Sequence, residues 1–103
     1  MAAVSQVSTW SPNPGRGMDF MAQVSKAKAI HERMGATVNV AQTLSGGTAM
    51  SVIYMATFES GATYGAFLDA AGTDAEWQEF WLGALSDPTA TMISTAIYTA
   101  VEV

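Results

Sequence analysis

Apolar residues recur along this chain with two different periods, and the changes of period divide it into six elements. Ala3 to Trp10 is predicted to be a first strand: Val4 and Val7 fall on opposite faces, with Ser5, Gln6 and Ser8 between them. Its alternation is poor, and its end is set by the turn residues Ser11-Pro12-Asn13-Pro14-Gly15. The period then lengthens. On a helical wheel Phe20, Val24, Ala27, His31 and Met34 form one stripe, flanked by Met21 and Ile30, which is the buried face of an amphipathic helix within Pro14–Gly35. Asp19 lies early in it and Lys26, Lys28 and Arg33 late, as the helix dipole favours. Gly35 suits the left-handed position past its C-terminus. Asn13-Pro14 has the form of an N-cap followed by proline, although Gly15 and Gly17 weaken that turn and move regular helix toward Met18.

From Ala36 to Leu44 the period returns to two, with Val38, Val40 and Leu44 on one side. Ser45-Gly46-Gly47-Thr48 reads as a hairpin turn into a strand over Met50–Phe58. That strand carries Met50, Val52, Tyr54 and Phe58 on one face and Ile53 and Met55 on the other, which implies a sheet covered on both sides. Ser60 is a candidate cap for a helix with Tyr64, Phe67, Leu68 and Ala71 at helical spacing. Gly72 interrupts it, and Thr73-Asp74-Ala75-Glu76 is a capping-box pattern that starts another helix bearing Trp77, Phe80, Trp81 and Ala84. After Ser86-Asp87-Pro88 a last strand spans about Thr91 to Val103. Strict alternation there puts Ile93, Thr95, Ile97 and Thr99 on one face, and Met92, Ser94, Ala96 and Tyr98 on the other.

The order strand, helix, strand, strand, broken helix, strand predicts an α+β protein with the ferredoxin-like βαββαβ arrangement, a four-stranded antiparallel sheet with helices on one face. With 103 residues a single domain over 1–103 is expected. Only 13% of residues are charged, against about 25% in an ordinary soluble domain. So small a domain exposes most of its residues, and so few charges imply that another copy covers part of it. A two-fold homodimer joined through the helix-free sheet face is the simplest form. The net charge of −5, with four Lys and Arg, argues against nucleic acid and against an anionic membrane surface. The N-terminal MAAVSQVSTW has neither a basic region nor a long apolar core, and no apolar run reaches membrane-spanning length. A cytoplasmic protein is therefore expected.

The Pro14-Gly15-Arg16 turn, Phe20 on the helix after it, the hairpin, and the aromatic helix with Trp77, Phe80 and Trp81 resemble the dimeric α/β barrel superfamily, in particular its antibiotic-biosynthesis-monooxygenase-like branch. The resemblance covers nearly the whole chain as topology. It implies a homodimer with a pocket between helices and sheet. The superfamily includes cofactor-free monooxygenases, haem-handling enzymes, polyketide cyclases, lactone isomerases and proteins without known activity, so fold does not choose among them. No catalytic set of the family maps residue by residue onto this chain.

Candidate chemistry centres on His31, the only histidine, at the middle of the helical stripe. It is either a core histidine satisfied by the protein or an acid/base group lining a pocket. With no cysteine and one histidine, no zinc site can be assembled. A lone histidine could ligate haem iron, but no distal set accompanies it, so no cofactor is expected. Asp74, Glu76 and Glu79 read as a solvated face, Glu59 as a strand-end residue, and Arg16 as an exposed turn arginine or a carboxylate clamp at a pocket mouth. Seven methionines and ten aromatics are the unusual feature of the composition. Met21, Met34, Phe67, Trp77, Phe80 and Trp81, together with Trp10, Phe20, Val24, Ala27 and Tyr54, are the candidate lining of a site for an apolar small molecule, whether fatty-acyl, polyketide-like or aromatic. The alternatives are a cofactor-independent monooxygenase, cyclase or isomerase using His31, and a structural or regulatory dimer without internal ligand.

Overall fold

The computed structural model describes residues 2–47 and 50–103. The elements are β1 (Val4–Pro12), α1 (Gly17–Arg33), β2 (Thr37–Gln42), β3 (Val52–Phe58), α2 (Gly61–Ala71), α3 (Ala75–Ser86) and β4 (Ala90–Thr99). The strands form one sheet in the order β2-β3-β1-β4, and each neighbouring pair is antiparallel. This is the ferredoxin-like α+β arrangement that the order of elements predicts. Thr48, the last residue of the expected hairpin turn, lies outside the described residues.

Local chemistry explains the boundaries. The chain leaves β1 through Gly15, at φ +76, and a turn in which the Arg16 N–H donates to the Asn13 carbonyl at 2.9 Å. α1 therefore starts after Arg16, without a side-chain cap, rather than at Pro14. At its far end Gly35 takes φ +104, a conformation that a β-carbon would strain. Ser60 caps α2 by accepting from the Thr63 N–H at 3.2 Å. Asp74, not Thr73, caps α3: its carboxylate accepts from the Trp77 N–H at 2.9 Å. The Thr73 hydroxyl instead donates back to the Ala70 carbonyl.

One face of the sheet carries the core. Phe20 and Val24 of α1 pack on Val52, with Val40, Tyr54 and Trp10 around them. Phe67 of α2 packs with Val38, Ala56 and Phe58, which is 1% exposed. The other face holds Val7, Ile53, Met55 and Tyr98, and no helix among the described residues lies over it. Along β4, strict alternation fails at one point. A register shift between Thr9 and Trp10 sets Ser94 opposite Thr9 but Met92 opposite Trp10. This bulge moves Met92 to the helix side, together with Thr95 and Ile97, instead of leaving it with Ser94 and Tyr98. The strand also ends at Thr99, so Val101 and Val103 follow it as exposed chain.

Candidate functional site

Helix α3 has no buried residue. It stands off the sheet and borders, with α1, α2 and the strands, an open-sided cavity of about 620 Å³. That volume suits a small organic molecule of several rings or a medium-length chain. α1 contributes Phe20, Gln23, Val24, Ala27 and His31, and α2 contributes Phe67, Leu68 and Ala71. From α3 come Trp77, Phe80, Trp81, Ala84 and Leu85. The floor is Gln6, Ser8 and Trp10 of β1, Tyr54 and Ala56 of β3, and Ala90 and Met92 of β4, with Pro88 and Thr89 closing one end.

His31 is 8% exposed and packed among three aromatic rings. Its ring lies 4.5 Å from that of Trp77, 5.5 Å from Phe67 and 5.7 Å from Tyr54, centroid to centroid. Nδ1 and the Tyr54 hydroxyl are 2.6 Å apart. Burial lowers the imidazole to a pKa of about 4, so the ring is neutral at physiological pH. Burial, reinforced by the negative charge of Glu32, pushes the Tyr54 phenol well above its ordinary value. Both members of the pair are thus uncharged. Among the described residues, no Lys, Arg, Asp or Glu lines the cavity. Its remaining polar groups are amides, hydroxyls and indoles: Gln6, Gln23, Ser8, which accepts from the Trp10 indole at 2.9 Å, and Thr89, which donates to Gln23 at 2.7 Å.

The ionic groups sit outside, where they tie α3 to both ends of α1. At the start of α3, the Arg33 Nη2 donates to both Asp74 oxygens at 2.9 Å and its Nε to Glu76 at 3.0 Å. The Trp77 N–H and Arg33 together hold the Asp74 carboxyl below its usual range. At the end of α3, Arg16 makes a fork-to-fork pair with Asp87, both bonds 3.0 Å, and a third bond to Asp19 at 2.8 Å. Arg16 is therefore engaged with the protein's own carboxylates, and Asp74 and Glu76 form a clasp rather than a simple solvated face. Glu59 is exposed. Among the described residues, no three His, Cys, Asp or Glu side chains converge on a metal-sized space.

Of the residues expected to line a pocket, Trp10, Phe20, Val24, Ala27, His31, Tyr54, Phe67, Trp77, Phe80 and Trp81 surround this cavity. Met21 does not. It is half exposed and faces a separate, open hollow beside Met18 and Met50. Nor does Met34, which has left the helix and packs against the core cluster that contains Val38, Phe58 and Phe67. Sequence reasoning missed Gln6 and Ser8. Their signal was present: in the middle of β1 the helix-facing Gln6 and Ser8 are polar while Val7 between them faces away. Such inverted polarity fits a strand whose inner face borders a cavity.

No protein-family model matches the chain, and no curated protein matches it in sequence. Solved structures match it in shape. An uncharacterized NIPSNAP domain protein from Burkholderia xenovorans superposes with a TM-score of 0.71 at 15% identity, over 97% of this chain and 94% of that one. A NIPSNAP family protein from Agrobacterium tumefaciens gives 0.71 at 14%, over 98% and 93%. SnoaB, a cofactor-independent oxygenase from Streptomyces nogalater, gives 0.69 at 12%, over 100% and 97%. The chain shares the ferredoxin-like α+β fold of these proteins. At these identities the likeness extends to the fold alone. Within the described residues no helix is long and apolar enough to cross a membrane.

Proposed function

We propose that this protein is a homodimer that binds an uncharged, apolar small molecule of aromatic or polyketide-like type between its helices and its sheet. The observation that carries the reading is the cavity of about 620 Å³, walled by aromatic rings and bordered by a neutral, buried histidine. A structural dimer without internal ligand would be favoured by a His31 side chain satisfied by backbone and packed against no space. His31 instead pairs with a side chain beside a cavity. The absence of ionic residues from the wall separates ligand classes. A fatty-acid carboxylate would lose its hydration there and meet no cation, so neutral compounds are favoured over ionised ones. Dimerisation is supported by the uncovered sheet face with Val7, Ile53, Met55 and Tyr98, and by the low charge content.

Native mass spectrometry of the protein as purified, followed by denaturing extraction, tests both parts. A dimer carrying an apolar compound is expected, and Ala27→Trp, which fills the cavity from α1, should remove the extra mass while leaving the dimer. Calorimetric titration with menadione, a neutral naphthoquinone, and with palmitate tests the ligand class. Tighter binding of palmitate would refute it, and a monomer would refute the assembly.

A second reading, a cofactor-independent monooxygenase, cyclase or isomerase with His31 as acid/base, draws on the same histidine. SnoaB, named as a cofactor-independent oxygenase, shares the fold. The depressed pKa weighs against His31 as a strong base. Taking a proton from an acid of pKa near 10 onto a group at about 4 costs roughly 8 kcal/mol before any stabilisation of the anion. Conversion of a bound compound by wild type and not by His31→Gln would establish this reading over simple binding.

A further inference from the structure

His31 and Tyr54 determine between them where the single imidazole proton sits, and that decides what the cavity offers its ligand. We infer that the Tyr54 hydroxyl donates to His31 Nδ1, which fixes the proton on Nε2 and presents an N–H donor to a carbonyl oxygen of the bound molecule. This rests on the cavity reading proposed above and adds the chemical group that the ligand must carry.

The polarity of the 2.6 Å contact follows from the relative strengths of the two donors and the two acceptors. A neutral imidazole has one donor and one acceptor nitrogen. Either arrangement leaves one donor without a protein acceptor among the described residues, the phenolic O–H or the Nε2–H, so the intrinsic strengths of the groups decide. With Tyr54 donating, the stronger donor meets the stronger acceptor and the buried O–H is satisfied. The low pKa of His31 agrees, since a doubly protonated ring could not accept at Nδ1. The remaining nitrogen, Nε2, has no protein partner among the described residues and is not sealed off from accessible space. The ring borders the cavity and is clamped by Trp77 and Phe67. An N–H held there calls for an acceptor, and a ligand carbonyl supplies one without bringing a charge into an uncharged wall. Tyr54 is then a positioning residue: it sets the tautomer that His31 presents. In any reaction at this site, His31 in this form polarises a carbonyl and stabilises developing negative charge on its oxygen, rather than removing a proton.

The protein has a single histidine, so selective ¹⁵N labelling of imidazole reports one ring. At neutral pH the protonated nitrogen is expected to be Nε2, recognised by its strong couplings to both ring carbon-bound protons. Protonated Nδ1 in the wild type would overturn the inference outright, and needs no variant. Tyr54→Phe should yield a mixture of tautomers; an unchanged Nε2–H tautomer would remove Tyr54 from its role. Titration with menadione and with 2-methylnaphthalene, the same ring system without carbonyls, tests the ligand half. Wild type should bind the quinone about tenfold more tightly, and His31→Phe should bring the two close to equal. Equal binding by wild type refutes the carbonyl contact while sparing the cavity. If neither compound binds although Nε2 is protonated, the cavity reading fails and the hydrogen-bond polarity stands.

Discussion

Acidification should destabilise this protein through one residue, and the size of the effect can be worked out. Burial holds His31 at a pKa of about 4 in the folded chain, against an ordinary 6.5. Well above pH 6.5 both states leave the ring neutral, and it contributes no pH dependence. Between the two values the unfolded chain takes up a proton that the folded one refuses, so stability falls as pH falls and levels off below the folded value. At 1.36 kcal/mol per unit, the whole effect approaches about 3 kcal/mol. The linkage relation places somewhat under half of it at about pH 5.5 and most of it by about pH 4.5. The charged groups nearest the ring add little, since the cavity wall has none and Glu32 acts on Tyr54 from an exposed position. Carboxylates such as Asp74 and Asp87, both held low by their partners, also lose stabilisation in acid. Their contribution is removed by comparison with His31→Gln, which keeps a polar group beside Tyr54 and does not titrate. Urea denaturation of both proteins from pH 7.5 to 4.5 gives the difference directly. Wild type should lose stability faster than the variant by the amounts above. Parallel curves, within about half a kcal/mol throughout, would show that His31 titrates as an exposed residue does and would refute the buried, neutral assignment.

Three further outcomes are expected. Phe58→Ala, at the most buried large side chain, should cost about 3–5 kcal/mol in urea denaturation, with a loss under about 1 kcal/mol showing that the core does not centre there. Ile53→Lys places a charge in the middle of the uncovered sheet face, between Thr9 and Ala41, and should give a monomer by analytical ultracentrifugation; an unchanged dimer would move the interface elsewhere. Breaking the two clasps with Arg16→Gln and Arg33→Gln should speed both entry and release of menadione in stopped-flow measurements, because α3 is otherwise held by no buried side chain. Raising the salt concentration should do the same to the wild type, since these pairs are exposed and screened. Unchanged rates in both experiments would mean that α3 does not gate the cavity.

What could be read in the residues was whatever depends on neighbours in the chain. The apolar stripe of α1, the caps at Ser60 and near Gly72, and the alternation of β3 are local patterns, and they sufficed for the order of elements and so for the ferredoxin-like topology. The same periodicity placed His31 on the inner face of α1 and put Phe67, Trp77, Phe80 and Trp81 on inner helix faces. Contacts between distant segments were not legible. The bulge that turns Met92 inward arises from pairing with β1, about eighty residues away, and a one-residue shift exchanges faces. Arg16 with Asp87 and Arg33 with Asp74 meet only when the helices are docked, because no spacing rule links charges so far apart. Met21 and Met34 show the limit of a helical wheel: it ranks residues by angle, while position along the axis and the helix end decide which of them reach the cavity. The pairing of His31 with Tyr54 is of the same kind. A helix supplies the imidazole and a strand the phenol, and only their packing brings the two within 2.6 Å and excludes the water that would otherwise keep the histidine an ordinary titrating group.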